Sequence, residues 1–593
     1  MTLSPPATLL LLATSALLTC ETVAEESTAA APAGEPVLEM PTLHSIGVHW
    51  IVAGDANQNA EVQMNCRVAG GEWREMLPLV RVERGAHLSE KGESSVEVPA
   101  GAWLFAGSAL FVQPDTAYEL RLVLADPDGG GREALLQART IAEPTAPTDA
   151  KIYHVMPGSA GGDGSALDPF RGFAAAQAHA RPGTIFLLRA GSYPPPWLIR
   201  KSGEAGRPII WRAAGDGEVI IDRRDGSADA GGRLISADQT QDVWFEGLTL
   251  RHGGKGIRIV VRGCTLTAVE YGIVATVNAD DKVRGWFISD TIIEGPSTWP
   301  RTKGIEDARG VQLTGEGHVV CYNRIHGFAD GIDTFPSRRC AGIDIHHNEI
   351  SAMTDDGIEL DYSERNVRCF SNRLTDVYQG ISTQPLYGGP AYIVRNAMYN
   401  VVAAPFKLHN SPSGVQIFHN TSVKAGAPLL IHTSAPVRHC RTRNNLFIGT
   451  DAGYAFEASP QMIECDFDFD GIGGGPWKMF LKWNDGRYAT HKEVLRNAPI
   501  WRRSAIVDAS GVFASGVQPP VSTDESHAAA DLRLQRGSDA LDRGEQLPGI
   551  NDGFTGNAPD LGAYEAGATL PHYGPRSRGA AEKEQREIGA PIN

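Results

Sequence analysis

The chain has 593 residues, a formal net charge of −16, 66 glycines, 37 prolines and 7% aromatic residues. The length suffices for two or three domains, and the Gly/Pro content suits many short strands joined by turns rather than long helices. The acidic balance argues against non-specific nucleic-acid binding; an acidic polymer substrate would need a cation or a local Arg/Lys patch to approach.

Taken in chain order, residues 1–20 contain an apolar run from Ala7 to Thr19, ATLLLLATSALLT. It is too short to cross a bilayer and sits where a signal-peptide core sits, so a secreted or cell-envelope protein is expected. The run closes on Cys20 as LLTC, which resembles a bacterial lipoprotein box; a lipid anchor there is the lesser alternative. No later segment reads as a transmembrane segment. Residues 21–36 (ETVAEESTAAAPAGEP) read as a solvated linker. Residues 37–145 read as a separate small β domain: SIGVHWIV, AEVQMNCRV and YELRLVLAD are strand-like, and PDTA and DPDGGG are turns. The order and the PDTAYELRL segment resemble a fibronectin type III domain, which implies Trp50 as a core residue and Tyr118 as a corner residue. A spacer or substrate-presenting role is expected for it.

From residue 151 to 570 the pattern changes. FRGFAAAQAHA, residues 170–180, predicts an amphipathic helix after Asp168-Pro169 that covers the open end of the β-rich region downstream. Residues 318–449 then repeat: Asn323, Asn348, Asn372, Asn396, Asn420 and Asn444 recur at spacings of 25, 24, 24, 24 and 24. A fixed period of this size built from short β-runs predicts a solenoid, one coil per repeat, and the asparagines stack at strand spacing as a structural ladder. Each asparagine is expected to bond the turn backbone and to take the left-handed turn conformation. Earlier coils place Cys264 and Asp290 at the ladder position, and 296–310 is an insertion. A short helix is expected near 491–497, and 571–593 is read as a disordered tail. Seven cysteines remain after Cys20, an odd number that argues against a complete disulfide framework; those beside β-runs read as small buried fillers.

The ladder sets the register of the candidate site. Alternation makes Ile332, Ile358, Ile381 and Phe406 core residues and turns Asp333, Glu359, Ser382 and Lys407 outward. The next outward row is Phe335, Asp361, Gln384 and His409, and the turn before the strand carries Asp330, Asp355, Asp356 and Gln379. Like charges stacked about 5 Å apart need a shared cation or proton, which is the warrant for function here. Coil spacing puts Lys407 roughly 10 Å from Glu359, room for a sugar ring.

The segment KIYHVMPGSAGGDGSALDPF and the coils downstream of it resemble the pectate-lyase-like superfamily of right-handed parallel β-helix proteins. That resemblance implies a right-handed solenoid acting on a polysaccharide or other glycan; with the small β-sandwich before it the chain reads as all-β, and a monomer is expected. Two chemistries fit. In the first, a Ca2+-assisted lyase cleaves a uronate polymer by β-elimination. Asp330, Asp333, Asp355, Asp356, Glu359 and Asp361 are then candidate metal ligands, Lys407 the base with His409 beside it, and Gln384, Tyr387 and Arg365 substrate contacts. In the second, ADGID followed by TDDGIE resembles polygalacturonases, which implies acid and base roles for Asp330, Asp355 and Asp356. Those enzymes carry Gly-His-Gly on the next coil, where this chain has Tyr378-Gln379-Gly380. A third reading is a β-helix that binds glycan or partner without catalysis.

Overall fold

A computed structural model describes residues 27–577 except 89–93, 224–231, 238–239, 253–259, 276–282, 303–306 and 336–339. The expected signal segment and residues 578–593 lie outside the described residues. The main body is a parallel β-helix whose strands form two long sheets, one of 14 strands and one of 17. A representative coil runs through Asp344–His346 in the first sheet, turns at Asn348, and continues along Glu349–Glu359 in the second. It then passes through the short strand Ser363–Arg365 into Val367–Phe370 of the next coil. Strict in-register stacking fills the interior: Ile345 pairs with Cys369, Cys369 with Ile393, and Ile393 with Ile417, all buried.

The ladder is present, with two corrections of register. Asn323 donates its backbone N–H and its Nδ2 to Asn348 Oδ1 at 3.1 and 3.0 Å, and the pattern repeats through Asn372, Asn396 and Asn420. The sixth rung is Asn445 rather than Asn444, and the rung above Asn323 is Thr291 rather than Asp290. The asparagines are fully buried, so the left-handed conformation falls on the preceding residues instead: Tyr322, His347, Ser371, Arg395, His419 and Asn444, at φ of 52 to 60°. Each Asn side chain sits inside the corner and must satisfy its polar atoms there; the residue before it makes the turn. The last rung is Asp470. It accepts from Asn445 N and Nδ2, from Thr442 Oγ1 and from Trp501 Nε1. A rung with nothing beneath it needs only to accept, which a carboxylate does; burial pushes its pKa up to about 6.

The predicted cap helix is shorter than expected. Only Phe173–Gln177 is helical, while Phe170–Arg171 joins the first sheet as a strand. Phe173 stacks on Trp197 at 4.6 Å and so covers the open end with an aromatic cluster. The second helix, His491–Asn497, forms as expected, capped by Thr490 accepting from Glu493 N–H. The seven described cysteines are free, six of them buried.

Before the helix, two antiparallel sheets are consistent with a small β-sandwich, with Trp50 at its centre and Gln113 N–H donating to Tyr118 Oη at 2.8 Å. The sandwich lies against the β-helix over a broad face. Leu77 and Leu110 pack on Phe370, Tyr392, Val394 and Phe418 of the first sheet. The fully buried Arg368–Asp344 ion pair is shared with Thr42 and Ser108 of the sandwich. From the other end, residues 540–577 run back along the coil corners. Gly562 N–H donates to Asn444 O, Gly574 N–H to His347 O, and Arg576 pairs with Asp290 and Glu143. Tyr573 and Arg576 are buried, so residues 571–577 are not the expected loose tail: their side chains find partners in the corner and linker.

Candidate functional site

The site lies on the second half of the 17-stranded sheet. Asp333, Glu359, Ser382 and Lys407 stack there in register on successive coils, as the ladder predicts, and Gln312 extends the row one coil upstream. A glycine one step before Val311, Ile332, Ile358 and Ile381 lets them do so. A Cβ on Gly310 or Gly331 would stand 2.5 Å from the carbonyl of the next coil's glycine, and one on Gly357 would stand 2.7 Å from Gly380 O. Any side chain there would push the coils apart, so these glycines bring the flanking acids to strand spacing.

Six carboxylates converge, but they are not equivalent. Asp333 Oδ2 accepts from Arg309 Nε at 2.5 Å and Gln312 Nε2 at 3.0 Å, while its Oδ1 accepts from Phe335 N–H. Asp361 Oδ1 accepts from Ser382 Oγ and Gln384 N–H, both at 2.7 Å. Asp355 faces Arg301 at 3.7 Å. The remaining three, Asp330, Asp356 and Glu359, each offer an oxygen within 4.8 Å of the others, and all three are buried. Among the described residues, Asp356 Oδ1 has no hydrogen-bond partner. Burial, then mutual repulsion, raises the pKa of Asp330 and Glu359 well above the ordinary range. Asp356 and Asp333 are the repelling neighbours of Asp330, and Asp361 and Asp330 those of Glu359. Asp361 is raised in the same way by burial and Asp356. Burial also raises Asp333 against the pull of Arg309, and raises Asp355 with help from Asp356.

Lys407 does not stand a sugar ring away from the acids. Its flexible stem reaches back so that Nζ lies 2.6 Å from Asp356 Oδ2. Burial works against the ammonium, but Asp356 and Asp361 outweigh it and the pKa ends above the ordinary lysine value. His409 is half-buried, its pKa lowered by burial and by Lys407. Gln384 holds Asp361 through its backbone, and its own Oε1 is buried without a hydrogen-bond partner among the described residues.

Two expected substrate contacts are elsewhere. Arg365 is buried in the domain interface, with Nε 2.7 Å from Glu39 Oε1 and NH1 2.7 Å from Ser95 Oγ; its strand turns towards the sandwich. Tyr387 is only 7% exposed, its N–H on Ser363 O, and the adjacent Gly388 abuts Val82 of the sandwich. The open aromatic ring here is Phe335, 38% exposed and 5.3 Å from Tyr362.

Sequence reasoning passed over Arg309, Gln312 and Arg301. Arg309 pairs in register with Asp330, so carrying the ladder one coil upstream would have exposed it; the insertion before it broke the count.

No protein-family model matches the chain. Pectate lyase L of Dickeya chrysanthemi is 36% identical over 81 residues, 12% of this chain and 19% of that protein. Pectate lyase L of Dickeya dadantii (strain 3937) is 35% identical over the same length. The chain thus matches 19% of the length of these curated relatives. Among solved structures, pectate lyase Pel9A aligns with a TM-score of 0.39 and 18% identity, covering 70% of this chain and 96% of that one. The complex of XylC with xylose aligns with a TM-score of 0.42 and 11% identity, covering 70% and 99%.

Proposed function

We propose that the protein is a secreted, carbohydrate-active β-helix, a cation-assisted polysaccharide lyase that cleaves a uronate-containing glycan by β-elimination. The observation that carries this reading is the trio Asp330, Asp356 and Glu359, three buried carboxylates whose oxygens converge while Asp356 Oδ1 has no hydrogen-bond partner among the described residues. Such an all-oxygen donor set fits a hard dication such as Ca2+. When bound, the cation would neutralise the substrate carboxylate and acidify the neighbouring carbon-bound proton. The local likeness to pectate lyase L points to the same class of polymer.

The chain's own groups divide the remaining work. Arg309 and Gln312 fix Asp333, and Ser382 and the Gln384 backbone fix Asp361, so both hold the walls of the site. Lys407, 11% exposed with its Nζ on Asp356, is the candidate proton acceptor: with a dication taken up by the trio, Asp356 would be drawn away from the ammonium and the lysine pKa would fall towards the range a base needs. His409, beside it, keeps a neutral imidazole towards the same face.

A hydrolase reading draws on one feature. Asp330 holds its proton well above the usual carboxylate range, as a general acid must. One experiment separates the two. On polygalacturonate, the lyase gives an unsaturated product absorbing in the ultraviolet, lost with chelator and in Lys407→Ala by about 10²–10⁴-fold. Reducing ends without that absorbance, lost in Asp330→Asn, overturn the lyase in favour of hydrolysis. Binding without turnover on a broad panel of glycans overturns both.

A further inference from the structure

Among the described cysteines, Cys440 and Cys465 are the pair that meets in register. Val437 and Arg438 pair with Met462 and Ile463, and Arg441 and Thr442 pair with Asp466 and Phe467, so the cysteines between them occupy the same corner of successive coils. Asp466 N–H donates to Cys440 O at 2.9 Å beside them. Each follows a residue in the left-handed conformation, His439 and Glu464, both at φ 50°. The neighbours of the other coil cysteines are different: Cys321 stacks between Ser289 and His346, Cys369 between Ile345 and Ile393, and Cys340 on Ser363.

The sulfurs lie on the same side. Cys465 Sγ donates to Val437 O at 3.5 Å, one coil back, and Cys440 Sγ donates to the adjoining Arg438 O at 3.4 Å. Strand spacing sets the two Cα atoms about 4.8 Å apart, inside the ~4.4–6.8 Å that a disulfide spans. Both residues lie between strands rather than within them. The small approach that a bond asks of their Cβ atoms therefore breaks no strand pairing. The pair is also asymmetric. Cys440 is buried, whereas Cys465 is part-exposed. Burial and then Cys465 push the Cys440 thiol up, while the hydrogen bond with Cys440 brings the Cys465 thiol below its ordinary value. The accessible thiol with the greater thiolate character meets an oxidant first.

We propose that Cys440 and Cys465 form a disulfide that staples two successive coils where the asparagine ladder runs out. The ladder secures the far end of the same strands: Arg441–Arg443 leads to Asn445, and Asp466–Phe467 leads to Asp470, the last rung. The oxidant is a second, small-molecule disulfide. The Cys465 thiolate attacks one of its sulfurs and expels one thiol. Cys440 then gives up its proton, attacks Cys465 Sγ and expels the other, so two protein thiols are oxidised as one disulfide is reduced to two thiols. An odd cysteine total leaves room for a single bond, and the acidic cluster takes no part in it.

The test treats the full-length parent, reduced and then freed of reductant, with oxidised glutathione at about pH 8. Two thiols should disappear from a titration in denaturant. A non-reducing tryptic map should join the peptide of Cys440 to that of Cys465, which Arg441 and Arg443 otherwise separate. The thermal midpoint should rise by about 3 °C and fall back with reductant. Cys440→Ser should stop at a mixed disulfide of glutathione on Cys465, and Cys465→Ser should keep its remaining thiols. A parent that keeps every thiol, ends as the Cys465–glutathione adduct, or joins other cysteines overturns the proposal. The parent's own map decides this even where a variant fails to fold. A bond that leaves the midpoint unmoved overturns the stapling role.

Discussion

The Asn ladder and the acidic cluster are both columns of polar side chains stacked at strand spacing on the same coils, and they solve burial in opposite ways. In the ladder every asparagine rung is neutral, every amide has a partner, and each oxygen is saturated by the rung above it. In the cluster, among the described residues, six acids meet three cations, an Asp356 oxygen is without a hydrogen-bond partner, and several pKa values are driven up. A satisfied column holds the fold; an unsatisfied one stores unfavourable charge that a ligand can relieve. The contrast separates structure from function within a single repeat.

The sharpest way to break that contrast is to cut the ladder. Asn372→Leu strands the Asn348 backbone N–H, takes one of the acceptors of Asn348 Nδ2, and removes the Nδ2 donor to Ile345 O, leaving Asn396 Oδ1 with only the backbone N–H of residue 372. Denaturant unfolding should show a loss of about 3–6 kcal/mol. A loss below ~1 kcal/mol would mean the ladder is incidental. The cluster should respond to ligand instead. Ca2+ at about 100 times its dissociation constant should add ~2.7 kcal/mol, seen as a rise in Tm that Asp356→Asn abolishes; no rise in the parent removes the cation from the site.

Asp470 joins the two regions, being a ladder rung that carries charge. Its folded pKa of about 6 lies above the unfolded value, so its stabilising contribution is present below about pH 4 and lost as pH rises through 6. Between those limits the parent should lose about 2 kcal/mol that Asp470→Asn does not lose. Equal slopes in a Tm–pH series for the two proteins would contradict the assignment. The smallest effect has the opposite sign to the first. Glu359→Gln, measured in chelator at neutral pH, should stabilise the protein by about 1 kcal/mol because it removes a repelled buried charge, while cleavage is lost. A destabilised Glu359→Gln would show that Glu359 is paired and the cluster already neutral.

The 24-residue period disclosed the helix, the core row Ile332, Ile358, Ile381 and Phe406, and the stacking of Asp333, Glu359, Ser382 and Lys407. Those come from alternation and need no tertiary information. What the period could not show was reach. Lys407 lies two coils from Glu359, yet its long stem brings Nζ to Asp356. Nor could it show what covers each face: Arg365 and Tyr387 looked open only because the sandwich that buries them is remote in sequence. The ladder itself slipped by one at both ends, where Asn444-Asn445 offered two candidates and Thr291 stood in for an amide.

The return of residues 540–577 along the corners has a consequence for how the chain folds. A simple stack of coils can fray or grow from either end one repeat at a time. Here Arg576 is fastened to Asp290 and Glu143, far upstream, and Gly574 to His347. Opening the terminal coils therefore also releases early ones, which makes unfolding a single cooperative event. It also means that residues made late, around Arg576, complete a part of the solenoid made early, so a nascent chain gains this fastening only after they have emerged.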